Sequence, residues 1–298
     1  MTPFQGARDG ARSAVRDTFE VGGQQVTLSG VGPPLLILSG PGVAFSRMPR
    51  LFALWEGAFT VVHWDQPGAA LSAGPVSLGR LVADGLAVVG AVAARLEVAK
   101  VAVLGISGGS VLGLCMAAAR PDLISVYAGT GQFVDWAAQG GLSYGMVLER
   151  ARAAGDGAAM TELERIGPPP YGDAATDAIK SKYAGALTPA EQALFANPTV
   201  MAPPVGTPVI DQRVLAMVAY AVVRHDLMAF KARDLGAIAT PVVFLQGTLD
   251  AYSVSSEVGA YARGIGATYV PVEGGGHSAM FMVGEMLRLL VEHVRPLA

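Results

Sequence analysis

The sequence predicts an α/β fold with a mostly parallel central sheet, flanked by helices on both faces and carrying an inserted helical cap. Two patterns carry this reading. Short apolar runs recur along the chain and alternate with stretches whose apolar residues keep helical spacing, as buried parallel strands joined by helices do. From 132 to 235, by contrast, only the helical spacing persists. Composition agrees: of 298 residues 52% are hydrophobic and 15% charged, against ~25% charged in an ordinary soluble domain. Such a chain can fill a large core.

The elements follow in order. Thr18–Val21 and Gln24–Leu28 flank Gly22-Gly23 and form a hairpin with a two-residue turn. Leu35–Leu38, after Pro33-Pro34, and Phe59–Trp64 are the next two strands. Ser77 is placed to cap a helix in which Leu78, Leu81, Val82, Leu86, Val89, Val92 and Leu96 share one face. Val101–Leu104 is a strand ending at glycine, Gly109–Arg120 a helix stopped by Pro121, and Leu123–Ala128 another strand. After the insertion come the strands Pro241–Leu245 and Thr268–Val272, then an amphipathic helix over Ser278–Val294. The core is thus expected in two pieces, 1–131 and 236–298, with 132–235 between them as a cap. The cap is punctuated by Pro168-Pro169-Pro170 and Pro203-Pro204. An insertion of this size on an α/β core commonly selects substrate.

Charge and cysteine usage exclude several classes. Lys and Arg number 21 against 24 Asp and Glu, a net charge of −3, so no basic footprint for nucleic acid or an anionic membrane surface exists. A single cysteine excludes an intrachain disulfide framework and a Cys-based zinc site. The mean hydropathy is +0.43, and Val101–Ala119 is uncharged over 19 residues, long enough to span a bilayer. Its glycines and serines read instead as strand, tight turn and core helix. Residues 1–20 are charged and lack the apolar core of a secretory signal. The expectation is a cytoplasmic protein with no membrane or nucleic-acid partner.

Gly105-Ile106-Ser107-Gly108-Gly109 matches G-x-S-x-G, directly after a strand and before a helix. That turn holds a serine out at the carboxyl edge of a sheet, and the helix start offers backbone N–H groups to a developing oxyanion. A nucleophilic serine needs a base. Of the four histidines, His63 lies within a strand, His225 in the insertion beside Asp226, and His293 in a last helical turn. His277 follows Gly274-Gly275-Gly276 in a loop at the end of the last strand and is the best placed. Asp250, after the strand and glycine turn Phe244–Leu249, is the acid that would orient it; Asp135 is the alternative. Ser39-Gly40-Pro41-Gly42 follows an early strand, and since Pro41 has no N–H, Gly40 or Gly42 would join Gly108 in the oxyanion hole. Trp136, Tyr144, Met217 and Tyr220 are the cap candidates for contact with substrate. Trp55, Trp64 and Cys115 read as packing residues, and His225-Asp226 lacks the further ligands a metal would need.

These pieces resemble the α/β-hydrolase superfamily, specifically its proline iminopeptidase-like branch. The similarity rests on Ser39-Gly40-Pro41-Gly42, on Asp65-Gln66-Pro67-Gly68 with Ser72, on the turn at Ser107, and on Gly276-His277, in the chain order Ser107, Asp250, His277. It covers about 18–130 and 237–298, and the cap only loosely. The resemblance implies a serine hydrolase that releases an N-terminal residue, often proline, from a peptide or amide without metal or cofactor. Its partner would be a small molecule or short peptide. Three positions depart from the branch: Leu38-Ser39 stand for His-Gly, Pro67 for Arg, and Gly108 for an aromatic residue. Such enzymes hold the substrate amine with acidic cap residues, for which Glu149, Asp156, Glu162, Glu164 and Asp211 are the candidates here. An esterase or lactonase acting on a small apolar substrate fits the same residues, and a lyase or ligand-binding receptor on this fold is the alternative class.

Overall fold

A computed structural model describes residues 16–69, 76–189, 191–192 and 212–298, with the side chains of 174 and 212–217 outside that description. Ser72, Pro203-Pro204 and Asp211, and the side chain of Met217, therefore lie outside the described residues. The sheet is formed by β1 (Asp17–Val21), β2 (Gln24–Gly30), β3 (Pro34–Leu38), β4 (Thr60–Trp64), β5 (Val101–Ile106), β6 (Ile124–Thr130), β7 (Val242–Gly247) and β8 (Thr268–Val272). Their order across the sheet is β1-β2-β4-β3-β5-β6-β7-β8. β1 and β2 pair antiparallel, as do β2 and β4, and every later pairing is parallel. In the β1–β2 turn, Gly22 and Gly23 both take positive φ, 57° and 77°, which a two-residue turn of this hand requires.

The helices are α1 (Pro49–Phe52), α2 (Leu78–Leu96), α3 (Gly108–Ala119), α4 (Trp136–Ala153), α5 (Gly157–Ile166), α6 (Ala174–Ala184), α7 (Gln212–Ala229), α8 (Ser255–Ile265) and α9 (Val283–His293). Ser77 caps α2 as its sequence predicts, accepting from the Arg80 amide at 3.2 Å. One apolar cluster lies on the α2, α3 and α8 side of the sheet, with Val88, Val111, Leu114 and Tyr127 at its centre. The other, around Phe52, Trp55, Leu104, Leu245 and Leu289, lies under α9. β3, β5 and β7 are buried along their whole length, which is why they read as unbroken apolar runs rather than alternating ones.

Between β6 and β7 the described elements are helices α4 to α7. The two ends of this segment meet: Asp135 bridges Lys231, and the Ala232 amide donates to the Val134 carbonyl at 2.7 Å. One element departs from the sequence reading. The helix expected over Ser278–Val294 is broken at Met282, with a 3-10 turn over Ala279–Phe281 ahead of α9. Ala279 and Met280 are buried against the His277 loop, and that packing bends the first turn away from the α9 axis.

Candidate active site

β5 delivers Ser107 at its carboxyl end with φ 54° and ψ −124°, a backbone conformation that L-residues rarely hold. The turn is possible because Gly105 and Gly109 lack side chains. A Cβ at Gly105 would sit 2.7 Å from the Gly109 carbonyl oxygen, and one at Gly109 would collide with the carbonyls of Leu38 and Ser39. The turn is held by the Ser107 amide on the Thr130 carbonyl at 3.1 Å and the Ser110 amide on the Ser107 carbonyl at 2.8 Å.

The three residues drawn from distant parts of the chain come together. Ser107 Oγ lies 2.9 Å from His277 Nε2, and His277 Nδ1 lies 3.1 Å from Asp250 Oδ2. The imidazole rides on the glycine loop after β8. That loop is pinned by the Leu249 amide donating to the Gly275 carbonyl at 2.8 Å. Gly131, at φ 55°, lies against the ring so closely that a Cβ would be 3.1 Å from it. The edge of the imidazole also meets Tyr252, centroid to centroid 4.7 Å.

Asp250 is fully buried. Its Oδ1 accepts from the amides of Tyr252 and Ser253, at 2.8 and 2.9 Å, and its Oδ2 from Ser253 Oγ at 2.6 Å and Gln246 Nε2 at 2.8 Å as well as His277. Burial by itself would raise this carboxyl. The facing His277 and the hydrogen bonds outweigh burial and hold it below the usual carboxylate range. Ser253 and Gln246 were not among the sequence candidates. Gln246 also accepts from the Gln132 amide at 3.0 Å, tying the acid to the end of β6. A local signal existed for Ser253: an aspartate whose carboxylate can reach the amides two and three residues on marks a turn that draws those residues in.

Gly40 and Gly108 face each other, a Cβ at Gly40 being 3.9 Å from the Gly108 nitrogen. Among the described residues neither amide has a hydrogen-bond acceptor. The Gly40 loop is fixed by Ser39 Oγ donating to the Val43 carbonyl at 2.6 Å and by Gln66 Nε2 donating to the Ser39 carbonyl at 3.2 Å. Both glycines, Ser107, Val43, Trp136, Tyr220, Leu227 and Tyr252 line a cleft of about 190 Å³.

Of the cap candidates, Trp136 and Tyr220 stand in this cleft. Tyr144 does not line it. Its ring packs in the cap cluster of Val147 and Leu163, and its hydroxyl donates to the Leu163 carbonyl at 3.2 Å. The acidic cap candidates with described side chains are also engaged elsewhere. Glu149 pairs with Arg152, Asp156 caps α5, Glu162 accepts from Tyr183, and Glu164 is exposed. Two other cap carboxylates approach the centre. Asp177 Oδ2 accepts from the Tyr220 hydroxyl at 3.2 Å. Glu191, buried, accepts from the amide of Gly276, next to His277, at 2.9 Å. Helical spacing in the cap does not say which face turns inward, and neither Asp177 nor Glu191 was among the sequence candidates.

The remaining alternatives fall away. Asp135 caps α4 through the Ala138 amide at 3.0 Å, and the His277 imidazole has Asp250 instead. His63 is buried against Phe52, and desolvation drives its pKa down to about 3. Its Nδ1 has no partner among the described residues. Asp65 accepts from Ser46 Oγ at 2.5 Å. Among the described residues no cluster of His, Cys, Asp and Glu could hold a metal, and no helix is long and apolar enough to cross a membrane.

The chain has the α/β-hydrolase fold, as its likeness to solved structures shows. An α/β-fold family hydrolase of Bacillus anthracis superposes with a TM-score of 0.65 at 13% identity, over 94% of this chain and 98% of that one. A proline iminopeptidase-related protein of Thermus thermophilus gives 0.63 at 18% identity, over 96% and 99%. The proline iminopeptidase of Mycobacterium smegmatis gives 0.59 at 19%, over 95% and 98%. In sequence, a probable aminopeptidase of Bacillus subtilis is 31% identical over 160 residues, and the alignment spans about half the length of each chain. No family model matches the chain.

Proposed function

We propose that the protein is a serine hydrolase that cleaves an amide or ester of a small molecule or short peptide through an acyl-enzyme. The observation that carries this is the continuous hydrogen-bonded line from Ser107 Oγ through both nitrogens of His277 to Asp250. It starts from a serine whose backbone is strained into the cleft. In the first step His277 Nε2 takes the hydroxyl proton as Ser107 Oγ bonds to the substrate carbonyl carbon, and the Gly40 and Gly108 amides receive the resulting oxyanion. The C–N or C–O bond then breaks, and protonated His277 gives its proton to the departing amine or alcohol. Water, deprotonated by the same imidazole, attacks the ester on Ser107 and restores the hydroxyl. Asp250 keeps the Nδ1 tautomer and stabilises the imidazolium. The helices α4 to α7 act as the cap that closes over the cleft and selects the substrate. A cytoplasmic location is part of this reading, which a chain with a single cysteine suits.

The test is intact-mass analysis after exposure to a fluorophosphonate, on wild type, Ser107→Ala and His277→Ala. One adduct on wild type that is absent from both variants is expected. Folded wild type that takes no adduct would overturn the reading in favour of a lyase or receptor. Prolyl amides compared with small esters then separate an aminopeptidase, which the similarity to the Bacillus subtilis protein favours, from an esterase.

A further inference from the structure

Beside the Ser107 cleft lies a second cavity of about 140 Å³, walled by Trp136, Gly140, Tyr171, Asp177, Lys180 and Met228 among others. Trp136 stands between the two, lining both. Lys180 is only 2% exposed. A lysine so deeply buried ordinarily has its ammonium held by carboxylates or carbonyls, because an unpaired buried charge is heavily penalised. Here the hold is loose. Among the described residues Lys180 Nζ has no hydrogen-bond acceptor. The nearest carboxylate oxygen, Asp177 Oδ1, is 3.9 Å away, far beyond the ~2.7–2.9 Å of a charge-assisted bond. The other carboxylate oxygen, Asp177 Oδ2, is engaged by the Tyr220 hydroxyl. The ammonium rests over the ring of Tyr252 at 5.1 Å.

That ring connects the cavity to the chemistry. Tyr252 lines the Ser107 cleft and meets the His277 imidazole at 4.7 Å, so one aromatic ring separates the Lys180 ammonium from the catalytic base. A second cation stands nearby. Arg224 donates through Nη2 to the carbonyl of Tyr171, a wall of the cavity, at 3.3 Å, and its Nε has no partner among the described residues. Among the described residues Lys180 and Arg224 stand near two carboxylates, Asp177 and the solvent-exposed Asp173, and it is Asp173 that feels Arg224. Lys180, the buried one of the two cations, is the one an arriving carboxylate would meet inside the cavity.

We propose that this cavity is a substrate subsite that takes a carboxylate, bound by Lys180, so that the preferred substrate is an anionic ester or amide carrying a free carboxylate a few bonds from its scissile carbonyl. The proposal rests on the serine hydrolase reading above. It accounts for three observations together: a buried lysine held only by a long ion pair with Asp177, a cavity that this lysine lines, and continuity with the nucleophile through Trp136 and Tyr252. Burial lowers the Lys180 pKa and Asp177 opposes that shift, so an arriving carboxylate strengthens the charged form.

The experiment compares the mono-para-nitrophenyl ester of glutaric acid with para-nitrophenyl hexanoate, its neutral near-isostere. Wild type is expected to favour the carboxylate ester in kcat/KM, and the selectivity ratio is expected to fall about 10–100-fold in Lys180→Met, the loss of one charge-assisted hydrogen bond. A wild-type preference for the neutral ester, or for an ester bearing an ammonium group, overturns the proposal without recourse to any variant. So does a ratio unchanged in Lys180→Met. Calorimetric binding of glutarate monoethyl ester to Ser107→Ala separates this idea from the catalytic one. Binding that disappears in Ser107→Ala/Lys180→Met, in a protein whose wild type takes no fluorophosphonate, would sink hydrolysis and keep the anion site. Labelled, active enzyme without such binding would sink only the anion site.

Discussion

The backbone at Ser107 makes a prediction whose sign is unusual. At most positions glycine is less stable than alanine by ~0.4–1 kcal/mol, because it gives the unfolded chain more freedom. Ser107 holds φ 54° and ψ −124°, a region costing ~1–3 kcal/mol for a residue with a Cβ. Ser107→Ala and Ser107→Gly both lose the 2.9 Å contact with His277, so the difference between them isolates the backbone. Alanine retains the strain and glycine releases it. Relief of about 2 kcal/mol against an entropic cost of about half that leaves the glycine variant ahead by about 1 kcal/mol. The assay is urea unfolding followed by tryptophan fluorescence. With a slope of ~3 kcal/mol/M, the Ser107→Gly midpoint should lie about 0.3 M above that of Ser107→Ala. A glycine variant equal to or weaker than the alanine variant, at matched slopes, would refute the claim that this turn is strained.

Two further predictions concern the acid and the glycines. Asp250 is held below its ordinary pKa in the folded protein, so its contribution to stability is present above the unfolded value near ~3.9 and is lost as pH falls through the lower folded value. Ser253→Ala removes the 2.6 Å donor to Oδ2, costs about 1.5–3 kcal/mol at pH 7, and moves the acid-unfolding midpoint to higher pH. A midpoint that stays in place would show that the Ser253 hydroxyl does not set the state of this carboxylate. Gly109→Ala drives a Cβ into the Leu38 and Ser39 carbonyls and should destabilise by about 3 kcal/mol. Gly90→Ala, mid-α2 with nothing near its Cβ, should stabilise by about 1 kcal/mol. Chemical denaturation of both variants reads the contrast.

The core was legible because its signals are local. Buried parallel strands are unbroken apolar runs, and Leu35–Leu38, Val101–Leu104 and Val242–Leu245 lie in such strands in the structure. The Ser107 turn was legible because the two small residues it needs, Gly105 and Gly109, flank it in sequence. His277 stood out by its glycine loop and Asp250 by its place after a strand. What the sequence hid depends on which side chains meet across the fold. Gln246 sits near the end of β7 like any other buried residue; Asp250 lies four residues on, and the register of β6 against β7 brings Gln246 to Gln132. Asp177 and Lys180 lie three residues apart on α6, a spacing that looks like a solvated helix pair, yet both are buried. Tyr144 failed as a substrate contact for the same reason, since spacing alone does not choose between the two sides of α4. The break at Met282 was hidden because the apolar period continues through it.

The bridge between Asp135 and Lys231, with the amides of Ala232 and Trp136 donating to Val134 and Phe230 at 2.7 and 3.4 Å, sets the two ends of the insertion side by side. A chain that leaves and rejoins a scaffold at one point adds little closure entropy as it lengthens, only ~0.6 kcal/mol for each doubling. What ties the insertion down is contact: Val223 and Leu227 on the core cluster, and Asp226 accepting from the Leu78 amide at 3.1 Å. A replacement segment of different length would therefore fit the same doorway, provided it restored that apolar floor and an acceptor for Leu78. On the proposed hydrolase reading, the insertion is the part to exchange for a new range of substrates, provided an acceptor for the Gly276 amide beside His277, now Glu191, is restored as well.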